Sequence, residues 1–595
     1  MRKNTYNTMT TLLKTTLAAL LWAILPLQLL ALSPTGTLPV IYVDTENDAP
    51  ITGKETYVKA TYYIDPCSTD FEAVGSASAP LATEIKGRGN YTWWGFEKKP
   101  YRLKLGKKAD LLGMGSNRHW ALLAHADDNM AFLRNAMGFE LSRRVGMTWT
   151  PEAQPVEYVL NGEYQGLYFL TETIRVGADR VDIVEQPENN TDPSTVDGGW
   201  LVEIDNYDTD PHITVTEGGD NGDYPIWFTY KSPEELSALQ TSYLKEQMDA
   251  INSAIYAPDH SGEAALCELV DLTTLAKFYV VQELMDNGES FHGSCYLNRQ
   301  QGEAEKWMWG PVWDFGNSFQ REKGNQRIFQ NPPYHQVWIG ALVGFPAVDQ
   351  AIKNVWSQFC ATGYEGLDLY ATEYIDYIRE AAARDYERWP QYGNSDLDLR
   401  KNDVMSRIEH DIRLMCEWYG GEVNIPEAVY LRGDMNGWDT SLRFMWQPSS
   451  STYVITHIQH LSETFKVATA DWSTVDFGAS ADNLYITPGE PFALAPKGAN
   501  IRLHEPLENV GMVFDPVLET LTILPSSQLG IGEMETVARD WKLDGRLVEA
   551  LGSELRVYTP SGRLLSTLRH GQTAELSVGI YIIRSTAGVE KVAVR

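Results

Sequence analysis

The apolar positions of this chain change period several times. From residue 38 they alternate with polar ones in "LPVIYVDTE" and "YVKATYYID", and a period of two predicts β-strands. "TEIKGRGNYTWWGFEKKPYRLKLGKK" continues as strand, glycine-containing turn and strand. In "NMAFLRNAMGFELSRRVG" the spacing becomes helical and stops at Gly146, a residue type that favours helix ends. "PVEYVLNGEYQGLYFLTE" predicts a hairpin turning on Asn161-Gly162, and "GGWLVEID" a further strand. Helical spacing then dominates 234–285, through "LTTLAKFYVVQELM", and 347–418, where "EYIDYIREAAARDYERW" is amphipathic. After Asn424-Ile425-Pro426 short strands return in "EAVYLRGDMNGWD", "TYVITHIQHL" and "TFKVATADW", the texture of a small β-sandwich. The last segment repeats the pattern between Ser-Gly, His-Gly and Ala-Gly turns.

The resulting expectation is an α+β chain. It divides into an N-terminal segment 1–33, a large unit 34–422, a β-sandwich 423–524, a linker 525–550 and a small β unit 551–595. The length of 595 residues agrees with roughly four domains. A net charge of -31 argues against a nucleic-acid partner, because phosphate backbones recruit Lys and Arg. At the N-terminus, Arg2, Lys3 and Lys14 precede the apolar run "TTLAALLWAILPLQLLALS", which reads as a secretory signal peptide, with a retained membrane anchor as the alternative. The five cysteines include no C-x-x-C pair, so neither a zinc ribbon nor a disulfide framework is indicated.

Three segments carry candidate chemistry. Between Lys86 and Lys108 there are eight basic residues and one acid, Glu97, a local reversal in an acidic chain. Arg102 and Lys104 fall on one strand face and follow a Gly-x-Gly turn, an arrangement that can meet phosphates or simply be a solvated face. "ELMDNGESFHGSCYLN" places Asp286, Asn287 and Glu289 after a helix. "KWMWGPVWDF" is expected to be a strand ending on Asp314, buried between Trp313 and Phe315 and therefore in need of a metal or cationic partner. Carboxylates at such loop ends suit Mg²⁺, and they equally suit helix caps and turns. Basic strand, helix with Glu140, hairpin, polar loop and Asp-Phe-Gly together follow the order of parts in a protein kinase, although His-Arg-Asp and Ala-Pro-Glu are absent.

With "IKGRGNYTW", "KKPYRLKL", "AFLRNAMGFELSRRVG", "VEYVLNGEYQGLYFLTE", "GGWLVEID" and "GPVWDF", residues 38–420 closely resemble the CotH family, atypical secreted or surface kinases named for a spore-coat protein. The resemblance implies a two-lobed kinase-like fold, Mg²⁺ and ATP as cofactors, and a protein substrate. It puts Asp314 on the metal-binding aspartate, Asn287 on the asparagine of the Asn-x-Asp loop, and Glu289 where many members carry aspartate. That longer side chain suits either proton acceptance or a kinase-like protein that no longer transfers phosphate. Within this frame Lys104 is assigned to the nucleotide phosphates, with Arg88 and Lys99 nearby. Glu140 orients Lys104 or is an exposed helix acid, and Thr171, Glu172 and Thr173 form the adenine hinge. Glu203 and Asp205 belong to the polar wall.

"AVYLRGDMNGWD", "FKVATADW" and "VDFG" resemble starch- or glycogen-binding sandwiches of Bacteroidetes surface proteins, with Trp438 and Trp472, and Trp446 as a third, as stacking platforms or as core. "LRVYTPSGRLL", "GIYIIR" and "KVAVR" resemble a type IX secretion sorting tail. Signal peptide and tail together imply the outer membrane or the exterior of a Bacteroidetes-like bacterium, reached through the secretion machinery. The expected function is phosphoryl transfer to a protein. The alternative is a non-catalytic surface scaffold or glycan-binding protein. A glycoside hydrolase ranks last, because no paired-carboxylate signature is present.

Overall fold

The computed structural model describes residues 32–594 apart from 129, 208, 220–223, 322, 393–395, 448–449, 530–540, 545, 553, 559–563, 577–578 and 586–587. The segment expected to be a signal peptide therefore lies almost wholly outside the described residues. Seven strands come first: β1 (Val40–Thr45), β2 (Val58–Asp65), β3 (Leu81–Gly87), β4 (Tyr101–Asp110), β5 (Ser116–Leu123), β6 (Ala153–Leu160) and β7 (Glu163–Glu172). They close into a barrel in the order β1-β2-β3-β4-β5-β7-β6. Tyr101, Leu103 and Leu105 point into its core with Ile85, Trp120, Tyr158 and Tyr168, so the alternation of β4 turns Arg102 and Lys104 outward. A short helix, α1 (Tyr91–Gly95), occupies the β3–β4 connection that the sequence pattern presents as a plain turn. The β6–β7 hairpin turns on Asn161 and Gly162, both at positive φ (50° and 74°), as a primed turn requires.

Between β5 and β6 runs helix α2 (Arg134–Val145), which ends in left-handed Gly146 at φ 80°. Beyond the barrel, β8 (Trp200–Asp205), β9 (His212–Thr216), β10 (Pro225–Ser232), β11 (Cys295–Arg299) and β12 (Met308–Trp309) form an antiparallel sheet in the order β12-β11-β8-β10-β9. Helices α3 (Ala238–Ile255), α4 (Glu263–Leu269) and α5 (Leu272–Leu284) follow in the stretch of predicted helical spacing. A four-residue helix, α6 (Ile339–Leu342), leads to α7 (Pro346–Thr362), α8 (Leu367–Arg388) and α9 (Leu397–Tyr419). One large apolar core joins α2, α5, α7, α8 and α9 to the sheet.

Helix α8 lies along β7 and ties barrel to helical body. Lys98 Nζ reaches Asp385 Oδ1 at 2.6 Å and the Leu167 carbonyl at 2.8 Å, and this ion pair is buried. Arg388 adds a bond to Glu163 at 2.7 Å.

Past residue 429 two antiparallel sheets share a core of Val429, Leu431, Phe465, Val467, Met512 and Phe514. A short helix at Ser526–Leu529 packs on them, so this unit continues beyond the expected boundary at 524. Trp541, Val548 and Ala550 are buried in the core of the last unit, so 541–550, expected to be linker, contribute to it. Mixed α and β structure is thus the fold class. No helix among the described residues is long and apolar enough to cross a membrane.

Candidate active site

The strand expected to end on Asp314 stops at Trp309. Pro311, which has no N–H to donate, ends the ladder, and 310–314 run on irregularly. Asp314 takes φ 58°, and this turn exposes its carboxylate while Trp313 and Phe315 stay buried. The expected burial of Asp314 is therefore corrected: the aromatic neighbours anchor the turn, and the acid faces a cleft of about 1030 Å³ between the barrel and the five-stranded sheet with its loops.

The loop is held from both sides. Phe315 packs where a side chain on Gly138 would stand, since a Cβ there would lie 2.3 Å from its ring. The Phe315 N–H donates to Asn135 Oδ1 at 3.2 Å. Arg134 donates to the carbonyl of Gly316 at 2.5 Å and also reaches that of Ser318. Asn287 Nδ2 donates to the Asp314 carbonyl at 3.2 Å and to Gln282 Oε1 at 2.9 Å. Asn287 is buried and positions the Asp314 backbone; it does not line the cleft.

Glu289 does line it. Its carboxylate accepts from Asn206 Nδ2 at 2.9 Å and from Asn317 Nδ2. Burial, and next the charge of Asp314, push Glu289 up to about 8. The Asp127 carboxyl, also in the cleft, is raised to about 6 by burial, and Asp314 adds to the rise against the opposing charge of Arg134. Glu203 is raised to about 7 by burial, against the pull of Lys231, whose Nζ lies 2.8 Å away.

On the barrel side the cleft is lined by Lys86, Arg88 and Arg102. Arg88 lies over the Trp313 ring at 5.5 Å. Burial lowers its guanidinium below the usual range, and Asp314 is first among the charges that oppose this. Arg102 Nε is a buried donor with no hydrogen-bond partner.

The other expected site residues lie elsewhere. Lys104 points to the barrel surface beside Glu84 (3.6 Å) and the Tyr57 ring, outside the cleft lining. Lys99 Nζ is spent on the carbonyls of Trp93 and Phe96 at the end of α1. Glu140 does not pair with Lys104. It is buried against Arg144 (2.6 Å) and Arg143 (3.6 Å) on its own helix, so neither expected role for it is met. Thr171 and Glu172 are buried strand residues that pair with Ala121 and Trp120, and Glu172 faces Arg180 at 3.4 Å. Thr173 borders the cleft, with its carbonyl engaged by Arg180 at 2.9 Å.

The sequence pattern offers Arg102 beside Lys104 but favours Lys104, and it does not point to Lys86, Lys231, Asn206, Asn317 or Asp127 as cleft residues. Of the two adjacent acids Asp127 and Asp128, Asp128 is engaged by the N–H groups of Met130 and Arg134, which leaves the Asp127 carboxyl to the cleft.

Among the described residues no group of three or more His, Cys, Asp or Glu converges tightly enough to hold a metal alone. The Asp314 carboxylate in the cleft is the kind of oxygen donor that Mg²⁺ takes.

In the second unit Trp438 and Trp472 come together, ring centroids 6.3 Å apart. Arg432 lies over the Trp472 ring at 4.3 Å and donates to the Trp438 carbonyl. Trp446 packs instead on Tyr453 at the core.

No curated protein matches the chain. A family model, CotH kinase protein, matches residues 85–420, a span that holds Arg88, Asp127, Glu289 and Asp314. As that match covers more than half of its length and contains the facing charged walls of the cleft, the chain belongs to the CotH kinase family.

Proposed function

We propose that this protein is an exported atypical kinase that moves a phosphoryl group from ATP, with Mg²⁺, to a hydroxyl of a protein substrate. The observation that supports it most is the polarity of one cleft. Lys86, Arg88 and Arg102 line it from the barrel, Asp314 and Glu289 line it from the other side, and Asp127 joins them from the loop between β5 and α2. A nucleoside triphosphate with its cation needs both kinds of wall, and little else, because phosphoryl transfer is catalysed by positioning and electrostatics. Barrel and helical body then act as the two lobes of a kinase-like fold.

In this reading Asp314 is the carboxylate for Mg²⁺, and Asn287 fixes the backbone that aims it. The bound Mg²⁺–ATP supplies an electrophilic phosphorus whose charge is partly neutralised. Arg88 and Arg102 balance phosphate oxygens, and the unpartnered Arg102 Nε is a donor awaiting an acceptor. Glu289, held by Asn206 and Asn317, would in its ionised form accept the proton of the acceptor hydroxyl. Of the expected hinge residues, Thr173 lines the cleft and would be available to the nucleotide.

One observation favours a second reading, a scaffold that binds nucleotide without transfer: the Glu289 carboxylate is engaged by two amides, Asn206 and Asn317. Transfer of labelled phosphate separates the two. The kinase reading expects label on the protein itself or on an added acceptor, lost in Asp314→Ala and Glu289→Ala. Nucleotide binding without label in wild type leaves the scaffold.

Residues 1–33 and 551–595 are proposed as signal peptide and type IX sorting tail, which place the protein at the cell surface. The sandwich-like second unit is proposed to hold a starch-like glycan on Trp438 and Trp472. Their juxtaposition supports this.

A further inference from the structure

The loop before α2 carries two adjacent acids with different employment. Asp128 is consumed: its carboxylate takes the Arg134 side chain at 3.1 Å and the N–H groups of Met130 and Arg134. Arg134 is consumed too, on Asp128, the Asp127 carbonyl and the carbonyls of Gly316 and Ser318. The carboxylate of Asp127 forms no ion pair among the described residues and lines the cleft. It converges with Asp314 over Gly316. A Cβ placed on that glycine would lie 2.6 Å from Asp127 Oδ2 and 3.1 Å from Asp314 Oδ1.

Two carboxylate oxygens from different parts of the fold thus border one space that a single methyl group would fill. Like charges brought together this way repel unless something positive lies between them. Hard divalent cations take just such oxygen pairs. Gly316 is not at positive φ, so backbone conformation does not demand glycine there. The need is for space.

We propose that Asp127, from the loop leading into α2, is a second protein ligand of the cleft's divalent cation, and that Gly316 is glycine to leave room for that ion between Asp127 and Asp314. This rests on the kinase reading of the cleft. It adds to it a carboxylate contributed from the barrel side of the fold. Cation binding then links the α2 loop to the Asp-Phe-Gly turn, beyond the link already made by Arg134.

The test is Mn²⁺ binding by the full chain, read as water-proton relaxation enhancement with a non-hydrolysable ATP analogue present. Wild type is expected to enhance relaxation, and Asp314→Ala to abolish the effect. Asp127→Asn is expected to weaken Mn²⁺ affinity by about 10-fold or more. Gly316→Ala retains both carboxylates and is expected to weaken it comparably, with circular dichroism confirming that both variants fold. If wild type and Asp314→Ala behave as stated while Asp127→Asn and folded Gly316→Ala stay within about twofold of wild type, the second ligand is wrong and the kinase reading stands. If wild type shows no enhancement, both fall.

Discussion

At the scale of single residues, Asp314 and Glu289 divide the work through opposite environments. A positive φ presents Asp314 to the cleft, whereas burial beside it keeps Glu289 protonated up to about pH 8. The sign of the consequence follows. Between its ordinary value of 4.5 and about 8, the folded state holds a proton on Glu289 that the unfolded chain has released. The contribution of this group to stability therefore falls as pH rises through that window. Glu289→Gln should melt higher than wild type at pH 9 without ligand, and the difference should vanish near pH 4. Melting curves across that range check it, and an unchanged gap contradicts it. Gly138→Ala tests the floor under Asp314. With the Phe315 ring 2.3 Å from the added Cβ, destabilisation of about 1–3 kcal/mol in urea unfolding is expected. Asp314 was legible in sequence because Trp-Asp-Phe-Gly is a local string. Arg88 was expected at the phosphates and does line the cleft, but the cation from β4 was not legible: Arg102 and Lys104 share a strand face, yet two residues of strand separate them by about 6–7 Å. Only the geometry of the closed barrel says which one meets the cleft.

Elements bounded by local chemistry were readable in advance. Gly146 ends α2, Asn161-Gly162 turns the β6–β7 hairpin, and the helical stretches fall where the apolar spacing places them. Elements bounded by distant contacts were not. Helix α1 in the β3–β4 connection is anchored by Lys99, and the last unit reaches back to Trp541 because its core needs that indole. The clamp of α8 on β7 belongs to this second kind, since Lys98 and Asp385 are far apart in sequence. Nothing in the string "FEKKPYR" distinguishes Lys98, which is buried, from Lys99, which caps a helix. Removing one partner of a buried pair strands the other charge, so Lys98→Ala should cost about 3–5 kcal/mol in chemical denaturation. A loss within error of zero would show that the clamp does not hold barrel and body together.

Across the whole molecule, the family-matched part and the following sheets are joined by a buried contact. Arg443 reaches Glu409 on α9 at 2.7 Å and Asp368 on α8 at 3.6 Å, and Asn402 donates to the Thr440 carbonyl at 2.7 Å. Arg443→Ala should separate the melting of the two units in calorimetry, whereas a single unchanged transition would mean that they are coupled by other contacts. The proposed glycan role of the second unit is independent of the cleft. Trp438→Ala should lose binding to soluble starch while nucleotide binding persists, and retained starch binding would remove that role from the tryptophan pair. Kinase activity here requires a nucleotide and a divalent cation to meet at Asp314. The most direct measurement is a thermal-shift titration of the full chain with Mg²⁺–ATP. Wild type should gain about 2.7 kcal/mol of apparent stability at a ligand concentration 100-fold above its dissociation constant, and Asp314→Ala should gain nothing. An unmoved wild-type melting temperature, or an Asp314→Ala variant that shifts as wild type does, would contradict the account.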